Sequence, residues 1–214
     1  MAHSPTPPDA TAERILDAAI ELAEHSSWEA VRLHAVARRL DLTIADIHAH
    51  YREKEEIAEA WFDRADCAML ADATQPGYAA LNTRGQLQRS MLAWLDVLAP
   101  HWRVTREMLV NKLEPGHLHV QIPALLRISR TVQWMREAAG RESTFVWRAL
   151  EETATTAIYL MTFTHWLVDE SPNSERTRAL LDSELKHAES LAHCVYRGCT
   201  RSTQPDGSPT TFDR

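Results

Sequence analysis

Cysteine and glycine are scarce in this chain, and each scarcity closes a class of reading. Among 214 residues there are 3 cysteines and 6 glycines. An odd cysteine count gives no paired framework, so Cys67, Cys194 and Cys199 read as reduced thiols. Cys194 and Cys199 lack a second pair at ligand spacing, which argues against zinc. No glycine-rich phosphate loop is present, and no serine or cysteine nucleophile motif. No catalytic residue, metal or cofactor is therefore assigned, and an enzyme is the least favoured class. Long apolar runs are missing too. The richest, "TAIYLMTFTHWLV", falls short of the ~20 apolar residues of a membrane span and contains His165. The opening "MAHSPTPPDA" is polar and proline-rich, without a secretory core or an arginine-rich amphipathic leader. A cytoplasmic protein with no integral membrane segment is expected.

Positive charge is in short supply as well. Formal net charge is -7. Residues 1–60 carry six basic side chains (Arg14, Arg32, Arg38, Arg39, Arg52, Lys54) against twelve acidic ones. A protein whose whole body serves nucleic acid is usually basic, so any such role must rest on a small head.

What is present is helical periodicity. Apolar residues recur at three- and four-residue spacing, and no stretch alternates at period two, so the fold is read as all-α. A first helix runs to about Glu24, capped by Asp9 or Thr11, with Ile15, Ala18, Ala19, Leu22 and Ala23 on one face. "HSSWEA" reads as a turn. A second helix covers about Leu33 to Leu40, Asp41-Leu42 turns tightly, and Thr43 caps a third helix to about Tyr51. A fourth runs from near Glu53 to Ala73, and "TQPGYAALNTRG" reads as a connector. Further helices are expected over about Gln86–Leu98, Trp102–Leu113, Val120–Ala139 with a kink near Pro123, Ser143–Asp169 and Ser174–Tyr196. The polar residues from Arg197 onward read as an unstructured tail. The division is thus 1–52 as head, 53–196 as body and 197–214 as tail.

Three short helices with a tight turn between the second and third make a helix-turn-helix. Ile15, Ala19, Leu22, Val31, Val36, Leu40, Leu42, Ile47 and Tyr51 can form its core. The stretch "AERILDAAIELAEHSSWEAVRLHAVARRLDLTIADIHAHYREKEEI" resembles the N-terminal motif of the TetR family of bacterial transcriptional regulators. The matching positions are Ile15, Ala18, Ala19, Val36, Ala37, Ile47, His50, Tyr51, Lys54 and Ile57. The chain departs from that family's usual glycine at Ser26 or Ser27, threonine at Arg32, glycine at Ala45 and tyrosine at His48. The resemblance implies a homodimer that binds a palindromic operator through two heads. It places Thr43 at the start of the recognition helix and Lys54 against phosphate, so the implied DNA contacts are Arg32, Thr43, Ile44, Ala45, His48, His50 and Lys54. Asp46 would face or flank the groove, where a carboxylate accepts from cytosine but repels phosphate.

The body is rich in bulky side chains. Trp94, Trp102, Met108, Trp134, Met135, Trp147, Tyr159, Phe163 and Trp166 are the candidate lining of an apolar cavity for a small molecule or isoprenoid lipid, although such residues are more often plain core. Leu150, Ala157 and Leu160 on one long helix, and Leu181, Leu185 and Leu191 on the next, are the candidate dimerisation residues. The stretches "WFDRADCAML", "LAPHWRVTREML" and "STFVWRALEETATTAIYLMTFTHWLVDES" resemble the Coq-nine proteins, lipid-binding accessories of ubiquinone biosynthesis built on the same fold. Two functions stand side by side. One is a ligand-responsive regulator; the other is a lipid-presenting protein with a silent head. The head's acidity favours the second. The complete head, with a tail that cannot form the Coq-nine membrane helix, favours the first, which is the preferred reading.

Weaker signals have ordinary explanations. Glu184 and His187 form one Glu-x-x-His unit, whereas a di-iron bundle needs two such units and two further glutamates. His165 and Asp169 stand four apart and read as a satisfied polar pair on one helix.

Overall fold

The structure is a computed structural model, and it describes residues 9–112, 130–138 and 145–201, with side chains described to 109 and over 152–193 in the flanking helices. It is helical throughout, with no strand among the described residues. The head comprises α1 (Ala10–His25), α2 (Leu33–Leu40) and α3 (Ile44–His50). The body comprises α4 (Lys54–Ala73), α5 (Thr83–Leu98), a 3₁₀ turn (Ala99–His101), α6 (Trp102–Lys112), α7 (described over 130–138), α8 (Phe145–Trp166) and α9 (Glu175–Arg201).

Each head boundary has a local cause. Asp9 accepts from Thr11 N at 2.9 Å and starts α1. Asp41 ends α2 in the left-handed region at φ 55°, a conformation that aspartate tolerates better than most residues. Its N–H and that of Leu42 return to the carbonyls of Arg38 and Ala37. Ile15, Ala19, Val31, Val36 and Ile47 form the head's core as expected, and Leu22, Leu40 and Leu42 pack on its edge. Trp28, which the sequence placed in a mere turn, is also core, at 4% exposure.

In the body, α4 packs on α5, α5 on α9, and α8 on α9. Three boundaries differ from expectation, one being the end of α8 at Trp166 rather than near Asp169. α5 begins three residues early, because Asn82 caps it by accepting from Gly85 N at 2.9 Å. A glycine there reads as a breaker, yet in a capped first turn its helix penalty of ~1 kcal/mol is offset. α9 continues past Tyr196 to Arg201, since Gly198 weakens a helix without stopping it as proline does. The rest of the expected tail, the segment 113–129 and the kink at Pro123 lie outside the described residues.

Candidate nucleic-acid interface and the body that holds it

α3 is built by its own first turn. Thr43 Oγ1 accepts from Asp46 N at 3.2 Å, and Asp46 Oδ2 accepts from Thr43 N at 2.8 Å and from Thr43 Oγ1 at 2.7 Å. This reciprocal capping box satisfies two of the helix's orphan donors. The hydrogen bonds from the Thr43 hydroxyl and backbone hold the Asp46 carboxyl below its usual range. The carboxylate expected to face or flank the groove bonds back to the helix end through Oδ2, on a residue that stays exposed. Thr43 is likewise committed to capping.

The inward face of α3 carries Ile47, with Tyr51 just beyond it donating to Ala12 O at 3.3 Å. Burial pushes the Tyr51 phenol up to about 12, with the Glu13 carboxylate adding to the effect. His50 is half-buried, with Nδ1 3.1 Å from Asp9 Oδ2. Ile44, Ala45, His48 and Ala49 face solvent.

The two cations expected at phosphate both donate to carbonyls of the 28–31 turn, Lys54 half-buried and Arg32 exposed. Lys54 Nζ donates to the carbonyls of Trp28 (3.2 Å) and Glu29 (3.4 Å) and lies 5.4 Å from the Trp28 ring centroid. Partial burial pushes its ammonium below the ordinary lysine range, aided by Arg32 and opposed by Glu55 and Glu29. Arg32 Nη1 donates to Glu29 O at 2.5 Å. Arg38 and Arg52 are exposed, and neither side chain has a hydrogen bond or ion pair among the described residues.

The acidic balance of the head also looks different in three dimensions. Glu13 and Asp17 pair with Arg64 of α4, and Glu21 with Arg39. Glu24 receives Arg103 of the body at 3.4 Å and His101 at 3.1 Å. A charge count over residues 1–60 misses Arg64 and Arg103, which lie later in the chain yet cover acids of the head.

Arg103 does more than pair. Its Nη2 donates to the carbonyls of Ala23 (2.9 Å) and Glu24 (2.6 Å), and its Nη1 to Ser26 O (3.3 Å) and Glu107 Oε1 (2.7 Å). Ala23 and Glu24 lie in the last turn of α1, where carbonyls run out of helical N–H partners, although Ala23 O also accepts from Ser26 N at 3.1 Å. Glu107 in turn accepts from Trp28 N at 2.6 Å. The body's α6 thus grips the end of α1 and the following turn, on the same residue whose carbonyl holds Lys54.

The body's aromatic residues form one stacked cluster. Trp94 meets Phe62, Tyr159 and Phe163 at centroid distances of 6.2, 5.5 and 5.1 Å, and Phe163 stacks on Trp166 at 5.9 Å. The indole N–H groups of Trp94, Trp61 and Trp102 are satisfied. Trp94 Nε1 donates to the buried Asp66 at 2.8 Å, which also accepts from Thr131 at 3.0 Å. Trp61 Nε1 donates to Thr105 at 2.9 Å, and Trp102 Nε1 to Trp166 O at 2.9 Å. Met108 and Met135 are buried, Trp134 is 46% exposed, and the Trp147 side chain lies outside the described residues. Two open surface hollows, of about 340 and 510 Å³, are lined by none of these candidate ligand residues.

The long helices correct two further expectations. Leu181 and Leu185 are 0% and 4% exposed, buried in the protomer's own core, so they offer no side chain to a partner. Leu191 is 67% exposed, and lies roughly 80–120° round α9 from that pair. One stripe in the sequence is therefore two faces. Ala157 is exposed, Leu160 is half-buried, and the Leu150 side chain lies outside the described residues. His165 and Asp169 are not one helical pair, because α8 ends at Trp166. Thr177 joins them: it donates to Asp169 Oδ2 at 2.6 Å and lies 2.9 Å from His165 Nδ1. Burial raises the Asp169 carboxyl, but hydrogen bonds from Ser171 and Thr177 outweigh it and hold the group well below the usual range. Sequence reasoning missed Thr177, Arg103 and Glu107; only distance in the chain hid them.

Comparison with known proteins bears on this arrangement at two levels. The model of bacterial regulatory proteins of the tetR family matches residues 15–61, the head and the start of α4. A TetR transcriptional regulator from Nitrosomonas europaea ATCC 19718 is 46% identical, over 85% of this chain and 99% of that one, with a TM-score of 0.77. The chain belongs to the TetR family. A second TetR transcriptional regulator, from Rhodococcus sp. RHA1, shares the fold at 19% identity and a TM-score of 0.59, over 81% of this chain and 94% of that one. No curated protein matches. The body's resemblance to the Coq-nine proteins gains no support from these matches. Among the described residues of this TetR-family protein, no helix is long and apolar enough to cross a membrane.

Proposed function

We propose that this TetR-family protein is a ligand-responsive transcriptional regulator that binds a palindromic operator as a homodimer. The observation that carries the reading is the 46% identical relative spanning 85% of the chain, itself a TetR transcriptional regulator. Ile44, Ala45 and His48, exposed on α3, are the proposed base-facing residues. Arg38 and Arg52 join the expected Arg32 and Lys54 as phosphate contacts; the last two hold the turn that carries them, with one Lys54 donor left to offer. Thr43 and His50 support the helix from its ends.

The proposed dimer face is the exposed edge of α8 and α9. Thr153, Ala157, Met161 and Thr164 recur at helical spacing on α8, and Leu191 on α9 is uncovered in a single chain. Small residues at that spacing allow two helices to approach closely. The proposed effector is an apolar small molecule seated at the aromatic cluster of Trp94, Tyr159, Phe163 and Trp166. The rings are in contact, so a ligand must part them. That movement reaches α6 through the Trp102–Trp166 and Trp61–Thr105 hydrogen bonds, and α6 holds the head through Arg103 and Glu107. Coupling of the two sites then has a physical carrier.

The test is binding of the purified protein to its own upstream DNA against scrambled DNA across a salt series. Specific binding near or below ~10⁻⁷ M with a clear salt slope is expected. Light scattering should give twice the 24.3 kDa chain mass. A monomer, or binding with no sequence preference in a selection from random duplexes, would refute the proposal.

A further inference from the structure

α3 is the element that enters the groove if the head binds DNA, and the inference drawn from it rests on that reading. The polar groups of α3 are largely spent within the protein. Thr43 and Asp46 satisfy each other, and His50 faces Asp9. Ile44, Ala45, His48 and Ala49 remain exposed, and they fall within an arc of roughly 140° on the helix. Ile44, 54% exposed, is the one large exposed hydrophobic in the described head. His48 is the one polar side chain on that arc, and it has no partner among the described residues.

Each base has a preferred reader in the major groove. Guanine is read by arginine or lysine on O6 and N7, and α3 carries neither. Adenine is read by asparagine or glutamine, which are also absent from it. Cytosine is read by a carboxylate, and the Asp46 carboxylate is held against the helix cap through Oδ2, turned toward Thr43 rather than along the exposed strip. Thymine is read by apolar contact with its C5 methyl, which Ile44, Ala45 and Ala49 can supply. The two alanines also let the helix lie close to the base edges.

We propose that α3 recognises its operator through thymine C5-methyl groups, contacted by Ile44, Ala45 and Ala49, with His48 making the single polar base contact. Exposed Arg38 and Arg52 provide charge outside this apolar strip. Affinity and specificity are therefore divided between different side chains. Salt should act on the first and leave the second alone.

The experiment selects duplexes from a random pool with the full-length protein, then replaces each thymine of the selected half-site by deoxyuridine, which removes the methyl and keeps the pairing. In parallel each guanine is replaced by 7-deazaguanine. The expected result is a loss of about fourfold for each contacted methyl, the worth of one buried CH₂ group. The salt slope should be unchanged. Ile44→Ala should weaken binding to the thymine duplex and add nothing on the deoxyuridine duplex at the position Ile44 contacts. Ile44 is exposed, so the helical circular dichroism of this variant should match the parent. Deoxyuridine duplexes bound as tightly as the parent, or the largest losses falling on 7-deazaguanine, overturn the thymine assignment while leaving DNA binding intact. Selection of no duplex at all overturns the regulator reading itself and this inference with it.

Discussion

Arg103→Met offers a direct measure of how firmly the body holds the head. The guanidinium is 41% exposed on its side chain, so its ion pairs with Glu24 and Glu107 count at the surface scale of about 0–1 kcal/mol. Its hydrogen bonds to the Ala23, Glu24 and Ser26 carbonyls are charge-assisted, a class that contributes about 1.5–3 kcal/mol when desolvated. Water can replace part of that at a half-exposed helix end. A net loss of about 2 kcal/mol results. For a chain of this size each kcal/mol shifts the midpoint by about 2–4 °C, so thermal unfolding followed by circular dichroism should move down by about 4–8 °C. Protein concentration must be held fixed, because the proposed dimerisation would also shift the midpoint. Arg103→Lys keeps the charge but loses the fork, and should recover less than half of the loss. A midpoint within about 1 °C of the parent for Arg103→Met, well below the expected shift, would refute the clamp as a stabilising element.

Three other perturbations have defined outcomes. Asn82→Ala removes the cap of α5 and should cost about 1 kcal/mol, read as a fall in thermal midpoint. Asp169→Asn should destabilise by about 2 kcal/mol at neutral pH, since its carboxylate accepts from Ser171 N, Thr177 N and Thr177 Oγ1. Its depressed pKa means the parent holds this stability above the ordinary carboxylate value and loses it as pH falls below that value; the variant's stability should lack that acid limb. Tyr51 is raised, so its contribution is present below the ordinary phenol value of about 10 and is lost as pH rises to about 12. Phenolate absorbance should show one late-titrating tyrosine fewer in Tyr51→Phe than in the parent, burial raising Tyr78 as well, and the variant's stability should fall less over that interval.

The head was legible in the sequence because its signals are local. Apolar spacing marked the three helices, and Thr43 stood where an N-cap belongs. The direction of Asp46 was legible in principle, since a Thr-x-x-Asp pattern places the carboxylate within reach of the cap. What could not be read was the destination of long side chains. Lys54 reaches carbonyls about two dozen positions earlier in the chain, and Arg103 reaches α1 across some 80 positions. Such partners depend on how helices pack, which no period reports. The same limit explains Leu181 and Leu185. Apolar periodicity tells that a face is buried, and the identity of the burying surface, own core or second subunit, comes only from packing.

The turn at residues 26–31 looks in the sequence like the obvious place to insert an epitope or attach a dye. It is polar, short and between helices. Yet Trp28 gives its N–H to α6 and its carbonyl to α4, while Arg103 and Arg32 close the carbonyls on either side. Its length is therefore set by three other parts of the molecule at once. One added residue would break the register of every one of those bonds, and a label there would report its own damage. The exposed Ala79 and Ala80, between α4 and α5, are the safer place to attach a probe.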